Sequence, residues 1–465
     1  MTVLSELDIT LSVKHSWESM NAAILEWRGW IDRAALLAFS LTIVLIPFRL
    51  NLTLLKRPML PLYWDYTDFQ LYASDAAMLV TLALWGLSLL VQRRSIRLGS
   101  PYIWPALAGL TLSGLLSVVG SIDRSLSLYQ AIRLGLLFLF YLFVCNEITS
   151  PAWVIMPVGL QLALQVPVAI AQFLEQHSLG LNALGELYLD PNQNGVSIAW
   201  SESSRLLRSY GLADHPNILG GCVAFGLILL LAVYLNGNDK TRLRCAAIFL
   251  PGIVALFLTF SRSAWVAFLL ACSLMLAVET LGRQYGKLID AGWLALASGF
   301  VLLPFLLANL SFLGVRLGAN HSFSDVPAEE QSLGERALLN DSANAIFSDH
   351  ALTGVGLGAS PLAIYQRFPD FSTNYQPPHF TLLAAALETG ILGAACYFLL
   401  GALPWLGVFA RRRELVIHPQ LVAVSALLLA VTSVGFLDHY TWSSIPGRLW
   451  QWLAWALWAK AFNNR

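Results

Sequence analysis

Three side chains of this sequence could carry ionic and proton-transfer chemistry if the fold brought them together. Arg262 stands in Thr259-Phe260-Ser261-Arg262-Ser263-Ala264-Trp265, between the apolar runs 245–260 and 264–278. A guanidinium costs about 2.5–3.5 kcal/mol at mid-bilayer on insertion scales, so an arginine at such a hairpin tip is a functional-site candidate. Snorkelling to lipid phosphates is the plain alternative. Arg208 lies in Ser204-Arg205-Leu206-Leu207-Arg208-Ser209-Tyr210-Gly211, close to the start of the apolar run 216–235. His379 follows Pro377-Pro378 at the mouth of another apolar run, which contains Glu388-Thr389-Gly390. Guanidiniums grip phosphate oxygens in a planar fork and stay protonated. Imidazole, with an ordinary pKa of about 6.5, can take a proton at ambient pH. A solvated loop histidine is the alternative reading of His379. Between Arg208 and the run at 216, Asp214 is expected to cap the coming helix, with Pro216 in its first turn. His215 and Asn217 read either as part of that cap or as site residues.

The elements that must position these groups are membrane helices. The chain has 465 residues, is 57% hydrophobic and only 12% charged, and has a mean hydropathy of +0.64. Such a composition belongs to a polytopic membrane protein. A net charge of zero gives no global field for nucleic acid. Runs long enough to cross about 30 Å of hydrocarbon fall at 31–50, 74–91, 101–119, 127–145, 153–174, 216–235, 245–260, 264–280, 290–310, 381–409, 418–437 and 446–463. The expected fold is therefore all-α and polytopic, with about 12 transmembrane helices, because a helix satisfies its own backbone in lipid. The run 381–409 is long enough to be tilted or broken near Glu388-Thr389-Gly390. No cleavable signal peptide is expected, since the first thirty residues lack a compact apolar core and a small-residue cleavage site. Val13, Trp17, Met20, Ile24, Trp27 and Ile31 instead predict an interfacial amphipathic helix over 1–30.

Lysine and arginine bias sets the orientation. Arg93, Arg94 and Arg97; Lys240, Arg242 and Arg244; Arg283 and Lys287; and Arg411, Arg412 and Arg413 mark alternate turns as cytoplasmic. Both termini are then cytoplasmic, and Arg262, the loop 175–215 and the larger loop 311–380 face outward. Helices 1–9 occupy 31–310, and helices 10–12 lie within 381–465. Loops of this length without structure of their own are uncommon. Helix-like patches at 333–347 and 361–368 predict that the larger one is folded. The run Gly354-Val355-Gly356-Leu357-Gly358 has no preceding strand and reads as a turn returning the loop to the bilayer. Arg133, a turn or two inside its span, reads as a snorkelling side chain. Aromatic residues crowd the outer loops (Tyr63, Trp64, Tyr66, Phe69, Tyr365, Phe368, Phe371, Tyr375) and read mostly as an interfacial belt, some able to stack on sugars. The five cysteines lie in or beside apolar segments and read as packing residues. No acidic cluster has metal-ligand spacing, so no metal and no cofactor are expected.

Phe260-Ser261-Arg262-Ser263-Ala264-Trp265, the Arg208/Gly211/His215-Pro216-Asn217 element, the Gly354–Gly358 run and His379 followed by Glu388-Thr389-Gly390-Ile391-Leu392-Gly393 together resemble the O-antigen ligase/O-antigen polymerase superfamily. The motifs span roughly 162–409, and the topology resembles the family over the whole chain. Phe380 stands where the family often has asparagine, and Gly334-Glu335-Arg336 lacks the aromatic residues that usually follow it. The resemblance implies a metal-independent enzyme of the bacterial cytoplasmic membrane. It would transfer a glycan from a lipid (undecaprenyl) diphosphate to the hydroxyl of a glycan, lipid or protein acceptor outside the cytoplasm. Carried over by resemblance, Arg208 and Arg262 bind the diphosphate and His379 is the base, with His215, Asn217, Arg336 and Glu388 as secondary site residues. Direct displacement would invert the anomeric carbon. A transporter of lipid-linked glycan or polysaccharide is the second reading, although the chain shows no internal repeat of the kind transporters often carry.

Overall fold

The computed structural model describes residues 29–92, 94–201, 204–317 and 326–463. The amphipathic segment expected over 1–30 falls almost wholly outside them. The described chain is mostly helical. After a helix over 29–45 (α1) come α2 (Ala73–Gln92), α3 (Trp104–Ser117), α4 (Arg124–Glu147), α5 (Ala152–Glu175), α6 (Pro216–Asn236), α7 (Asp239–Leu258), α8 (Arg262–Leu281) and α9 (Tyr285–Ala308). The larger loop carries α10 (Leu310–Arg316), α11 (Val326–Asp349) and α12 (Ser360–Arg367). The chain finishes with α13 (Thr381–Ala410), α14 (Arg412–Leu415), α15 (Pro419–Leu437), α16 (Tyr440–Ser443) and α17 (Ile445–Asn463). Two antiparallel hairpins supplement the helices. β1 (Asn51–Leu55) pairs with β2 (Phe69–Tyr72), and β3 (Ile198–Ser201) with β4 (Ser204–Leu207) in register Ile198↔Leu207.

Among the described residues, nine helices are long and apolar enough to cross a membrane: α2, α4 to α9, α13 and α15. The other three of the twelve expected spans are not among these nine. The described part of α1 covers 17 residues. With 14 residues, α3 reaches only about 21 Å at 1.5 Å per residue. α17 carries Arg448, Gln451 and Lys460, yet most of it is buried against α4, α6 and α15. A helix enclosed by other helices meets little lipid, so its composition need not be apolar. α6 is likewise central, whereas α9 buries only Leu294 and lies at the periphery.

Arg133 does not snorkel. Its guanidinium binds Asp75 and the hydroxyl of Tyr129, and donates to the carbonyl of Gln70 at 3.2 Å. A guanidinium kept from water must find acceptors within the protein, and β2, the first turn of α2 and Tyr129 of α4 supply them. The cysteines are free, four buried and Cys272 half-buried.

The long helix α13 is broken at Gly390, whose φ of 70° and ψ of −172° lie where only glycine is comfortable. The break frees backbone groups that the glycine run engages. Val355 N–H donates to Leu387 O (2.8 Å), Gly356 N–H to Glu388 O (3.1 Å), and Ile391 N–H to Ala351 O (2.8 Å). The Glu388 carboxylate accepts from Gly358 N–H (2.8 Å), Ser360 Oγ (2.7 Å) and Trp442 Nε1 (2.8 Å). The loop also has a small apolar core of Leu339, Ala343, Ile346, Val355, Ile364 and Tyr375, which Leu387 of α13 completes. A Cβ at 390 would lie 2.2 Å from the Leu352 carbonyl oxygen. Gly390→Ala should therefore lower the unfolding temperature of the purified protein, with a backbone cost of about 1–3 kcal/mol before the clash is counted. An unchanged thermal melt in detergent would show that these contacts do not hold the break.

Candidate functional site

The site forms where α5, α7 and α15 end and α6, α8 and α13 begin, at one end of the bundle. A helix leaves its last carbonyls without intrahelical partners. At the end of α7 those of Leu258, Thr259 and Phe260 accept from Ser209 N–H (3.0 Å), Arg208 Nε (2.7 Å) and Arg316 Nε (3.3 Å). Phe260 makes the turn with φ at 48°, unusual for a bulky residue. Phe173, Phe257 and Trp265 pack around its ring. Arg262 follows as the first residue of α8, and its Nη1 donates to Arg316 O at 3.4 Å.

Arg208 is only 4% exposed. Besides Thr259 O it donates to Ser197 Oγ (2.7 Å) and Asn217 Oδ1 (2.5 Å). Three of the five N–H bonds of its fork are thereby engaged, and two remain. The amide of Asn217 turns its other end to Asp438 Oδ2 at 2.7 Å. Asp438 Oδ1 accepts from His439 N–H (2.8 Å) and faces His379 Nδ1 at 3.6 Å, an ion-pair distance longer than a direct hydrogen bond. Catalytic contacts in ligand-free proteins are often this long. His379 and His439 meet edge to face, with ring centroids 4.7 Å apart. Arg336 of α11 donates to Leu437 O at 3.4 Å.

The expected cap at Asp214 is corrected by this geometry. Asp214 pairs with Arg49 at 2.6 Å and accepts from the Tyr72 hydroxyl at 3.3 Å. His215 is the N-cap instead, its Nδ1 accepting Asn217 N–H at 3.1 Å. Burial and the nearby Arg208 pull His215 down to about 3, so the ring stays neutral and able to accept. Burial and neighbouring His379 pull His439 down to about 3 as well. Burial lowers Arg208 to about 9, with like-charged Arg316 adding to the effect, so an anion brought here would relieve both. Burial raises the Asp438 carboxyl, but His379, His439 and Arg336 outweigh it and hold Asp438 well below the usual carboxylate range. The buried acid is ionised.

Arg208, His215, Asn217, Arg336 and His379 thus meet around Asp438. Arg262 joins them through Arg316, while Glu388 is occupied elsewhere as the clamp on the glycine run. Asp438, His439 and Arg316 were not legible as site residues, although one signal was present. An acidic residue at the C-terminal end of a helix opposes its dipole, and Asp438 does so in an otherwise apolar tract. Ligand atoms of His379, Asp438 and His439 lie within 4.8 Å of one another and could hold a metal ion, a grouping that sequence spacing conceals. His439 Nδ1 is engaged with Ser443 Oγ at 2.6 Å. Removing the cap alone, in His215→Ala, should cost about 1 kcal/mol of stability. Asn217→Ala should cost more, because it strips a partner from both a buried guanidinium and a buried carboxylate. Denaturation of the two variants side by side checks the order.

No curated protein matches the chain. A family model described as O-antigen ligase matches residues 246–398, from α7 through the Arg262 turn, the larger loop and His379 into the second half of α13. That stretch includes Arg262 and His379, while Arg208 precedes it. Over residues 246–398, about a third of its length, the chain is thus similar to the O-antigen ligase family, in support of the resemblance carried by its motifs.

Proposed function

We propose that the protein transfers a glycan from a lipid diphosphate to an acceptor hydroxyl at the outer side of the bacterial cytoplasmic membrane. The observation that carries this reading is one continuous array, His379–Asp438–Asn217–Arg208, which couples a proton acceptor to a guanidinium site. Nδ1 of His379 faces Asp438 at 3.6 Å, and a proton held there leaves the lone pair of Nε2 for the acceptor hydroxyl. Asp438 holds the ring in that tautomer and favours the imidazolium that follows, as a buried acid does behind a catalytic histidine. The acceptor oxygen attacks the anomeric carbon as Nε2 takes its proton, and the bond to the diphosphate breaks. Arg208 and Arg262, with Arg316 beside them, meet the charge that develops on the leaving group. No second nucleophile enters this scheme, so the configuration inverts. Arg336, on the loop helix, serves the acceptor side or the diphosphate.

The step needs no metal. Both oxygens of Asp438 already accept from Asn217 and His439, and the Arg336 charge disfavours a cation there. Transfer of glycan from extracted lipid diphosphate by purified protein should persist in excess chelator. Arg262→Lys should be nearly as damaging as Arg262→Ala, because an ammonium cannot reproduce the fork. His379→Ala should lower single-turnover transfer by about 10²–10⁴-fold while the donor still binds. Asp438→Asn should follow the same pattern. Full activity in Arg262→Lys or His379→Ala, in protein inserted at the wild-type level, would remove that residue from the mechanism. Loss on chelation with recovery by Mg²⁺ or Mn²⁺ would reassign His379, Asp438 and His439 as ligands.

The orientation rests on the basic turns. A reporter active only outside the cytoplasm should work when fused after Asn340 and be silent after Arg412. The reverse result would put His379 on the cytoplasmic face and end the case for an outward-facing transferase.

A further inference from the structure

At the opposite end of the bundle, the α6–α7 and α8–α9 turns enclose an open concavity of about 590 Å³. Arg242, Arg283, Lys287 and Asp290 line it. Arg242 is fixed by Asp290 at 2.7 Å, and Lys287 by Glu279 at 3.0 Å. Among the described residues no carboxylate pairs with Arg283. Three cations against two acids leave one net positive charge. Arg283 has its φ at 55°, and its N–H donates to Thr280 O while that of Gln284 donates to Glu279 O. This is the helix-ending turn that ordinarily takes glycine. An arginine here forgoes backbone stability, which a role for its side chain would explain. The first turn of α9 opens onto the same space, and Gln284 offers it no side-chain cap.

What lies beside the concavity indicates the ligand. Tyr285, Ile289, Trp293, Leu296 and Phe300 recur every three or four residues along α9, and each is at least 61% exposed. The stripe runs about 22 Å at 1.5 Å per residue, longer than the hydrocarbon depth of one leaflet, about 15 Å. A single positive charge that continues into an apolar stripe of acyl-chain length matches a molecule with one phosphodiester and two acyl chains. Basic pockets between helix ends are known to take lipid headgroups. We propose that this concavity binds the headgroup of an anionic phospholipid, with the phosphodiester against Arg283 and Lys287 and the acyl chains along α9.

The test is independent of the transferase reading, because it measures lipid binding alone. Full-length protein in detergent is titrated with palmitoyl-oleoyl phosphatidylglycerol or with the matching phosphatidylcholine, and bound lipid is counted by native mass spectrometry. Wild-type protein should favour phosphatidylglycerol. Arg283→Gly keeps the left-handed turn and should fold at least as well, yet lose about fivefold of that preference, the contribution of one basic residue at an anionic surface. Lys287→Gln should act in the same direction. Equal binding of the two lipids by wild-type protein, or an undiminished preference in Arg283→Gly, would overturn the proposal. Complete displacement of phosphatidylglycerol by millimolar inorganic phosphate would also overturn it, since the site would then be one for free phosphate.

Discussion

A guanidinium removed from water is tolerable only where acceptors meet its N–H groups, and Arg208, almost fully buried, sets that requirement at the centre of this structure. The acceptors come from three places that the chain must bring together. They are the carbonyl left over at the end of α7, a hydroxyl just before β3, and the amide of Asn217 in the first turn of α6. Because Asn217 uses its other end on Asp438, the position of Arg208 also fixes the end of α15. His379 is placed by the same acid. Anion site and base are therefore parts of one polar network.

The second determinant is the break in α13. His379 precedes that helix, and its location depends on how the N-terminal half of α13 meets the larger loop. An unbroken helix would leave the loop no free backbone groups to bind. With Gly390 out of helical geometry, Leu387 and Glu388 offer carbonyls inward and the glycine run closes on them. Glu388 then serves as a structural clamp between loop, α13 and Trp442. Its burial with three donors explains why an acid can stand inside an apolar helix without acting on a substrate.

The charge distribution follows from which groups find partners. Asp438 stays ionised because His379 and Arg336 face it, whereas burial, with nearby positive charge, strips the protons from His215 and His439. Arg208 and Arg336 converge on the Asp438 carboxylate, so the site already pairs opposite charges within hydrogen-bonding and Coulombic reach. At the far end of the bundle the cations are instead paired or open to the surface.

How much could be read without coordinates depended on whether a property is local. Apolar run length determined the membrane class and most helices, since each run must cover the same hydrocarbon depth and satisfy its own backbone. The turn at Arg262, the break near Gly390 and the folding of the larger loop were legible for the same reason, as glycine, proline and charge act on their immediate neighbours. Arg208, Arg262 and His379 could be singled out by residue type. What joins them could not, because Asn217 and Asp438 are 221 residues apart, and His379 and Asp438 flank the ends of different helices. The polar partners of Arg133 and the sheltering of α17 were hidden likewise, since whether a polar group in a helix meets lipid or protein depends on its neighbours in space. The cap at His215 rather than Asp214 had the same origin. Asp214 was drawn away by Arg49, a partner four helices earlier in the chain, and only the assembled bundle brings that partner within reach.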